Sequence, residues 1–291
     1  MPELPEVETV RAGIAPVLEG ARIVDAVITD ARLVRPHAPE IVASELVGER
    51  VSRVERRGKY LIVRFESGRV LLIHLRMTGS LRHGRYGALA DDPHRRAVLS
   101  LDNGSDVAYR DVRRFGTWEL LEPDELPAYL AARLGPEPLG SISAAKLGRR
   151  LAGRRTALKA ALLDQRTLAG MGNIYADEAL WYARLHPLRP AGSLDDDELR
   201  RLHRGVRRAL RLGIARQGAS LRDYARPDGE SGAMQREFRV YGREGEPCDR
   251  CGTPVAKTRV AGRGTHYCPA CQSAPGTIGA AGGWGADAAA S

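Results

Sequence analysis

The four cysteines of the chain form two closely spaced pairs near its C-terminal end. Two residues separate Cys248 from Cys251 and Cys268 from Cys271, and 16 residues lie between the pairs. This spacing is typical of a four-cysteine zinc site, because one tight turn presents both thiolates of a pair to the same tetrahedral ion. Since all four cysteines are used, no ligand position stays open. We therefore predict one structural Zn²⁺ that takes no part in catalysis.

The N-terminal segment offers a different chemistry. Its sequence, MPELPEVETV, places Pro2 directly after the initiator methionine, with Glu3 and Glu6 beside it. Removal of Met1 would expose a secondary amine, which titrates near neutrality and is therefore partly nucleophilic. Attack of this amine on a sugar C1′ gives an iminium ion, which acidifies the neighbouring C2′ proton. The alternative is that the acidic residues only begin a helix, where they are common.

The elements that must position these groups change in type along the chain. Up to about residue 130, β-branched runs punctuated by SG and NG turns predict strands. Before these strands, the apolar spacing that leads from Val7 and Val10 to Ile14 and Val17 predicts a helix. A Pro/Gly-rich segment at 135–140 is typical of a hinge between domains. Helices are then predicted over 156–163, over 173–182 and from Ser193 onward.

The C-terminal region is predicted to end in a hairpin and a tail. The residues between the cysteine pairs are typical of a β-hairpin, with Gly262 and Gly264 near its tip. Arg263 lies between these glycines, and its guanidinium is well suited to phosphate. The Gly/Ala-rich sequence that follows the last cysteine is poor in core-forming residues, so we predict that it is disordered.

The charge balance predicts an acidic partner. The 291 residues include 45 Lys plus Arg against 36 Asp plus Glu, a formal net charge of +9. Nucleic acid is favoured over a membrane because no long apolar stretch is present. No signal sequence is visible, so we expect a cytoplasmic protein with reduced cysteines. We interpret one arginine-rich helix as a solvated basic face without a specific contact; its arginines are Arg200, Arg201, Arg204, Arg207, Arg208 and Arg211.

Six motifs occur in a fixed order along the chain. They are MPELPEVETV, RRGKYLIV around Lys59, HLRMTGSL around Met77, DVRRFG around Phe115, LDQRTLAGMGNIYADEALW across Asn173, and the zinc hairpin. Together they resemble the motifs of bacterial formamidopyrimidine-DNA glycosylases, a family shared with endonuclease VIII. The resemblance covers residues 1 to about 272.

The resemblance implies catalytic roles for five residues. Pro2 would be the nucleophile that forms a Schiff base, and Glu3 the general acid/base for base loss and opening of the sugar. Glu6 would belong to the same acidic cluster. Lys59 would contact phosphate and donate a proton in β-elimination, whereas Arg263 would bind phosphate and serve δ-elimination. Lys59 could instead be a surface lysine on an edge strand, but its glycine and basic neighbours favour a strand end that faces DNA.

The resemblance also implies residues that bind DNA. Asn173 would hold a phosphate at a helix start, although a helix cap is the alternative. Met77 and Phe115 would enter the gap left by an extruded nucleotide, although such residues usually lie in a core. His94 has basic neighbours in Arg95 and Arg96 that could replace it. The complete implied set is His94, Arg113, Arg154, Lys159 and Asn173, with Met77, Arg113 and Phe115 filling the gap.

The fold that the resemblance implies is α+β with two domains. The first is an N-terminal β-sandwich with flanking helices, and the second is a helical domain with a helix–two-turn–helix and a four-cysteine zinc-finger β-hairpin. The predicted boundaries are 1–134 for the catalytic β-sandwich, 135–237 for the helical DNA-binding domain, 238–272 for the zinc finger and 273–291 for the disordered tail.

The function that the resemblance implies is a bifunctional DNA glycosylase and abasic-site lyase. The segment 218–235 resembles a mobile loop of the branch that removes oxidised purines, so 8-oxoguanine and formamidopyrimidines are the expected targets. The partner would be double-stranded DNA with oxidised bases or abasic sites, bound by a monomer at the nucleoid. One alternative is an endonuclease VIII-like enzyme for oxidised pyrimidines. Another is a non-catalytic, zinc-stabilised DNA-binding protein, which would not explain Pro2, Glu3 and Lys59 together.

Overall fold

The computed structural model describes residues 1–221 and 224–274. Within them a β-rich N-terminal half is followed by a helical half that ends in a small hairpin, which confirms the predicted α+β fold class. The predicted disordered tail lies outside the described residues from position 275 onward. No helix of the described ranges is long and apolar enough to cross a membrane.

Two antiparallel four-stranded sheets face each other in the N-terminal half. One has the order β1-β6-β7-β5 and the other β2-β3-β4-β8. Their inner faces share one hydrophobic core, to which alternate residues such as Leu61 and Val63 contribute. Strand bounds are β1 (Ile23–Ile28), β2 (Val51–Arg57), β3 (Tyr60–Phe65), β4 (Val70–His74), β5 (Gly79–Arg85), β6 (Arg95–Leu101), β7 (Ser105–Asp111) and β8 (Thr117–Leu121).

Three helices accompany the sheets: α1 (Leu4–Leu18), α2 (Pro39–Leu46) and α3 (Glu125–Arg133). Helix α1 places Val7, Val10 and Ile14 in the core between the sheets, at the spacing of one helical face. Leu4, at the start of the same helix, instead joins the core of the helical half. The first helix therefore connects the two halves of the molecule.

The helical half packs around α6, which is buried along nearly its whole length. Its longest neighbour, α7, starts with a capping box in which Asp195 accepts the Glu198 N–H at 2.8 Å and Glu198 accepts the Asp195 N–H at 3.0 Å. The elements are α4 (Ala144–Leu151), α5 (Leu158–Leu163), α6 (Asn173–Ala183), α7 (Asp196–Ala215), β9 (Ala256–Val260) and β10 (Arg263–Tyr267).

Candidate active site and zinc centre

The N-terminal residues lie in the seam between the two halves. Pro2 is buried, and the Leu4 N–H donates to the Gly170 carbonyl at 3.0 Å. A Cβ on Gly170 would lie 2.7 Å from the Leu4 Cβ, and the backbone there has a φ of +89°. Glycine is thus required at this position for both reasons. The GMG sequence is therefore the surface against which the N-terminus packs.

Glu3 reaches from this segment to the start of α6. Its carboxylate accepts the backbone N–H groups of Ile174 at 2.9 Å and Tyr175 at 3.3 Å. A Cβ on Gly172 would lie 2.2 Å from the carboxyl carbon of Glu3, so only glycine leaves room for this contact. Burial raises the pKa of Glu3, while the Lys59 charge and the two N–H groups act in the opposite direction.

Glu6 is buried next to Glu3 and is fully hydrogen-bonded. Its carboxylate accepts the Glu3 N–H at 2.9 Å, the Tyr175 hydroxyl at 2.7 Å and the Ala219 N–H at 2.9 Å. Burial, together with the charge of Glu3, raises the pKa of Glu6 to about 7. The contacts show Glu6 joining the N-terminus to α6 and to the segment after α7.

Lys59 approaches the same cluster from the β2–β3 hairpin. Gly58 and Lys59 form its tip, where Gly58 has a φ of +59°. A Cβ on Gly58 would lie only 3.3 Å from the Leu134 side chain and 3.4 Å from Ala169, so this tip packs against the helical half. Lys59 is buried, which excludes an edge-strand surface lysine. Burial lowers the pKa of its ammonium group, opposed by the charges of Glu3 and Glu6.

Arg263 is exposed at the start of β10, after a turn in which Ala261 and Gly262 have positive φ. Its charge lowers the pKa of Lys59, which places it within electrostatic reach of the buried cluster. The next residue is held in place, because the Gly264 carbonyl accepts a hydrogen bond from Lys159 Nζ at 3.0 Å. The hairpin therefore holds a cation beside the seam.

Lys159 does not reach the surface, so the prediction that it binds DNA is wrong. Its side chain is 0% exposed, and its Nζ lies 2.7 Å from an Asp177 carboxylate oxygen and 2.8 Å from Thr265 Oγ1. The other Asp177 oxygen accepts the His266 N–H at 2.9 Å. Sequence reasoning missed Asp177, although an acidic residue inside the apolar helix sequence NIYADEALW was an available signal.

Glu178, the neighbour of Asp177, anchors the chain that leads to the zinc site. Its buried carboxylate accepts the N–H groups of Arg239, Val240 and Tyr241 at 2.9–3.0 Å. Sequence reasoning also missed this residue. Both acidic side chains of α6 therefore serve to position the C-terminal segment.

Asn173 begins α6 next to Glu3. Its amide Nδ2 donates to the Gly264 carbonyl at 3.1 Å, and its Oδ1 is buried without a partner among the described residues. The N–H groups of Ile174 and Tyr175 that a bound anion would use are already bonded to Glu3. These two N–H groups are therefore not available to a phosphate, and the contact of Asn173 with phosphate stays a prediction.

Met77, Arg113 and Phe115 form one exposed group, which excludes the alternative that Met77 and Phe115 lie in the core. Met77 is 37% and Phe115 51% exposed. The Arg113 guanidinium donates to the Met77 sulfur at 3.3 Å and lies 4.9 Å from the centre of the Phe115 ring. The adjacent Arg114 makes two bonds to Asp30, at 2.6 and 2.7 Å, and so fixes this loop.

No hydrogen bond or ion pair within the described ranges joins His94 or Arg154 to the buried cluster. The His94 N–H donates to Asp92 at 2.8 Å, and Arg96 lies 3.4 Å from its ring nitrogen. Arg154 pairs with Asp164 at 3.0 Å. Both side chains remain partly accessible.

The four cysteines converge as predicted. All four sulfur atoms lie within 4.8 Å of one another, and Cys251 Sγ is 3.5 Å from Cys268 Sγ and 3.4 Å from Cys271 Sγ. A tetrahedron of Zn–S bonds of about 2.3 Å has edges of about 3.8 Å, so one Zn²⁺ fits this group. The Trp181 indole N–H donates to the Cys248 sulfur at 3.4 Å. The prediction of a four-cysteine zinc site is thus confirmed.

The segment 218–235 follows α7 and lies over α1. Its residues 222 and 223 are outside the described ranges. Pro227 packs so closely on Gly13 that a Cβ there would lie 2.8 Å from Pro227 Cγ. A cavity of about 300 Å³ lies between this segment and α1. The assignment of this segment as a mobile loop of the oxidised-purine branch stays a prediction.

Three family models match the chain. The formamidopyrimidine-DNA glycosylase N-terminal domain matches residues 1–118, the formamidopyrimidine-DNA glycosylase H2TH domain matches residues 134–225, and a zinc finger found in FPG and IleRS matches residues 245–274. A formamidopyrimidine-DNA glycosylase of Roseiflexus sp. (strain RS-1) is 46% identical over 274 residues, which are 94% of this chain and 100% of that protein.

Solved structures are similar over the same span. A Lactococcus lactis FPG variant bound to DNA containing Fapy-dG is 38% identical with a TM-score of 0.87, covering 94% of this chain and 100% of that one. Wild-type Lactococcus lactis FPG with DNA containing an oxidised pyrimidine has a TM-score of 0.86 at the same identity and coverage.

Proposed function

The chain belongs to the formamidopyrimidine-DNA glycosylase family, and from this premise we propose that it removes oxidised purines from double-stranded DNA and then cleaves the strand. Its expected targets are 8-oxoguanine and formamidopyrimidines. The same active site would also act on abasic sites, because the sugar chemistry that follows base loss is shared. We further propose that it works as a monomer in the cytoplasm, at the nucleoid.

One observation carries this proposal: a buried lysine faces two buried carboxylates directly beside Pro2. Burying Lys59, Glu3 and Glu6 together is costly for a protein that only binds DNA, because each charge loses its hydration. Clusters of groups with shifted pKa values are instead typical of active sites. The non-catalytic alternative gives no reason for this arrangement.

The chemistry can be assigned to this chain's own residues. After removal of Met1, the nitrogen of Pro2 attacks C1′ of the damaged nucleoside, and the base leaves with the electron pair of its glycosidic bond and is protonated. The sugar ring then opens: the C1′–O4′ bond breaks, O4′ takes a proton, and the Pro2 nitrogen lone pair forms the iminium ion. Loss of a C2′ proton from this ion expels the 3′ phosphate, and a second elimination expels the 5′ phosphate. Glu3 and Lys59 serve as acid/base groups, and Arg263 holds phosphate.

DNA would lie across the seam, with its backbone held by the basic side chains near it. We propose that His94, Arg154 and Asn173 contribute phosphate contacts. The exposed group of Met77, Arg113 and Phe115 would replace the extruded nucleotide in the stack, which offsets part of the cost of extrusion. The domain boundaries predicted at residues 134, 237 and 272 remain part of this proposal.

Borohydride trapping on abasic duplex DNA tests the nucleophile. The purified protein should form a covalent adduct after reduction of the imine, and the Pro2→Gly variant should form much less. Mass analysis of the intact protein should show that Met1 is absent. Efficient strand cleavage by a protein that retains Met1 would contradict the assignment of Pro2.

The choice of lesion is tested by comparing duplexes. We expect faster cleavage of a duplex with 8-oxoguanine than of one with thymine glycol, because the segment 218–235 resembles the oxidised-purine branch. The Lactococcus lactis structure with an oxidised pyrimidine makes the endonuclease VIII-like alternative worth testing directly. A clear preference for thymine glycol would favour that alternative.

A further inference from the structure

A second basic site lies on the helical half. A cavity of about 830 Å³ opens between the end of α6, the first part of α7 and the turn of the first cysteine pair. We call it the arginine basin, defined by the five arginines that line it: Arg184, Arg201, Arg204, Arg208 and Arg250. The proposed excision chemistry uses none of these side chains.

The basin is remote from the buried cluster. Helix α6 begins at Asn173, beside Glu3, and its last turn carries Trp181 and Tyr182, which line the basin. Its 11 residues correspond to about 16 Å of helix. The two sites therefore lie at opposite ends of one rigid element, and a ligand in the basin would not occupy the seam.

The charges of the basin are largely uncompensated. Arg201 pairs with Asp197 on its own helix, but Arg184, Arg204, Arg208 and Arg250 have no ion-pair partner in the described part of the chain. Several like charges around one cavity raise its potential and attract anions. The basin therefore favours a ligand that carries more than one negative charge.

Contacts with aromatic rings hold two of these guanidinium groups in place. Arg250 stacks over the Trp181 ring at 3.9 Å and donates to the Trp181 carbonyl at 3.2 Å. Arg208 lies over the Tyr182 ring at 4.5 Å. Because the rings cover the guanidinium faces, the N–H groups other than the one bonded to the Trp181 carbonyl can face a ligand. Fixed edges of this kind suit phosphate oxygens and lose little entropy on binding.

The spacing of the basin arginines along α7 indicates a ligand with several phosphates in a row. Arg201, Arg204 and Arg208 follow one another at intervals of three and four residues, which places them on one face. They span about 10 Å of helix axis, a rise over which one strand of B-DNA carries about three phosphates. We propose that the arginine basin binds the phosphate backbone of a second nucleic-acid segment while the seam holds the first. This inference rests on the proposed function only for the occupant of the seam.

The test uses the full-length protein already loaded with a short duplex that carries a tetrahydrofuran abasic analogue. A longer, fluorescent, undamaged duplex is then titrated in at low salt, and its anisotropy is measured. We expect Arg204→Glu/Arg208→Glu to weaken this second binding by about tenfold or more, because charge reversal removes two phosphate contacts. The control, Arg200→Glu/Arg211→Glu, makes the same charge change on α7 outside the basin and should bind the second duplex like wild type.

Excision of 8-oxoguanine from a separate duplex separates this inference from the proposed function. Both double variants should excise the lesion at the wild-type rate, since the seam is untouched. Equal weakening of the second binding in both variants, or no second binding by wild type, would overturn the inference. Displacement of the long duplex by polyglutamate as readily as by inorganic polyphosphate would also overturn it and indicate an acidic protein partner. Failure of excision with intact second binding would contradict only the proposed function.

Discussion

Glu3 and Gly172 act as a pair although 168 residues lie between them in the chain. The glycine leaves the space through which the carboxylate reaches the first N–H groups of α6. A helix start ordinarily attracts an anion, and here the chain supplies its own. Glu3 is therefore held in one orientation before any DNA arrives, which is what a general acid/base needs.

Glu6 predicts a pH dependence of stability. Its pKa is about 7 in the folded protein, above the ordinary value of 4.5, so the folded state retains a proton that the unfolded chain has released. The contribution of this group to stability is complete below about pH 4.5, falls as the pH rises, and is lost above about pH 7. Burial is the main cause of the raised pKa.

The Glu6→Gln variant should lack this dependence because glutamine does not ionise. Urea unfolding at pH 5 and pH 8 should show the variant gaining stability relative to wild type by up to about 3 kcal/mol as the pH rises. Parallel stability profiles for the two proteins would show that Glu6 does not titrate in this range.

At the scale of the element, α6 is the support for the whole C-terminal segment. Asp177 holds β10 through His266 and through Lys159, while Glu178 holds the chain at residues 239–241. Arg263 is exposed and would move freely without this support. The position of Arg263, which we propose to bind phosphate, therefore depends on the buried carboxylate of Asp177.

Replacing Asp177 by asparagine should be strongly destabilising. It leaves the Lys159 ammonium buried without a counter-charge, which costs roughly 3–5 kcal/mol. The double variant Lys159→Met/Asp177→Asn removes that charge and keeps an acceptor for the His266 N–H, so it should recover part of the loss. Denaturant unfolding of the three proteins measures this, and an Asp177→Asn variant as stable as wild type would refute the anchoring role.

Elements with a strong local sequence pattern could be predicted from the sequence. The runs that form β3 and β4 are apolar and contain β-branched residues, and the start of α7 has its cap in the sequence. Strand β5 was not predicted, because GSLRHGR is polar and glycine-rich and is a strand only through its pairing with β7. Helix α2 was missed for a similar reason, since it buries only Val42 and Leu46.

The contacts of the site likewise include some that a local sequence pattern predicts and some that it does not. Cysteine spacing is a local signal, so the zinc site could be predicted directly. The partners of Glu3 and Lys159 lie far away in sequence or on another element, and no local pattern reports them. The resemblance implied that Lys159 binds DNA, whereas its side chain is buried against Asp177 on another helix.

At the scale of the molecule, the active site exists only where the two halves meet. Pro2 and Glu3 directly precede α1, Lys59 lies at the tip of the β2–β3 hairpin, and the supporting N–H groups come from α6. Neither hydrophobic core contains the complete site. Binding of DNA across the seam should therefore depend on how firmly both halves are held, including the small hairpin.

Removal of zinc should abolish tight DNA binding without unfolding the sheets. The four thiolates would repel one another, and the hairpin that carries Arg263 would lose its fixed position. We expect binding of an abasic duplex to weaken at least about tenfold after chelation and to return with Zn²⁺ but not with Mg²⁺. Far-ultraviolet circular dichroism of the metal-free protein is the control that the β-sandwich stays folded. Unchanged affinity of the metal-free protein would contradict this.

The contact between the Trp181 indole and the Cys248 sulfur gives the protein an intrinsic optical reporter. Tryptophan emission responds to a nearby thiol or thiolate, and Trp118 lies in the separate core of the β-sandwich. Loading and loss of the metal can therefore be followed as a change in fluorescence, without a label. Because Arg250 stacks on the same ring, occupancy of the arginine basin should be readable in the same signal.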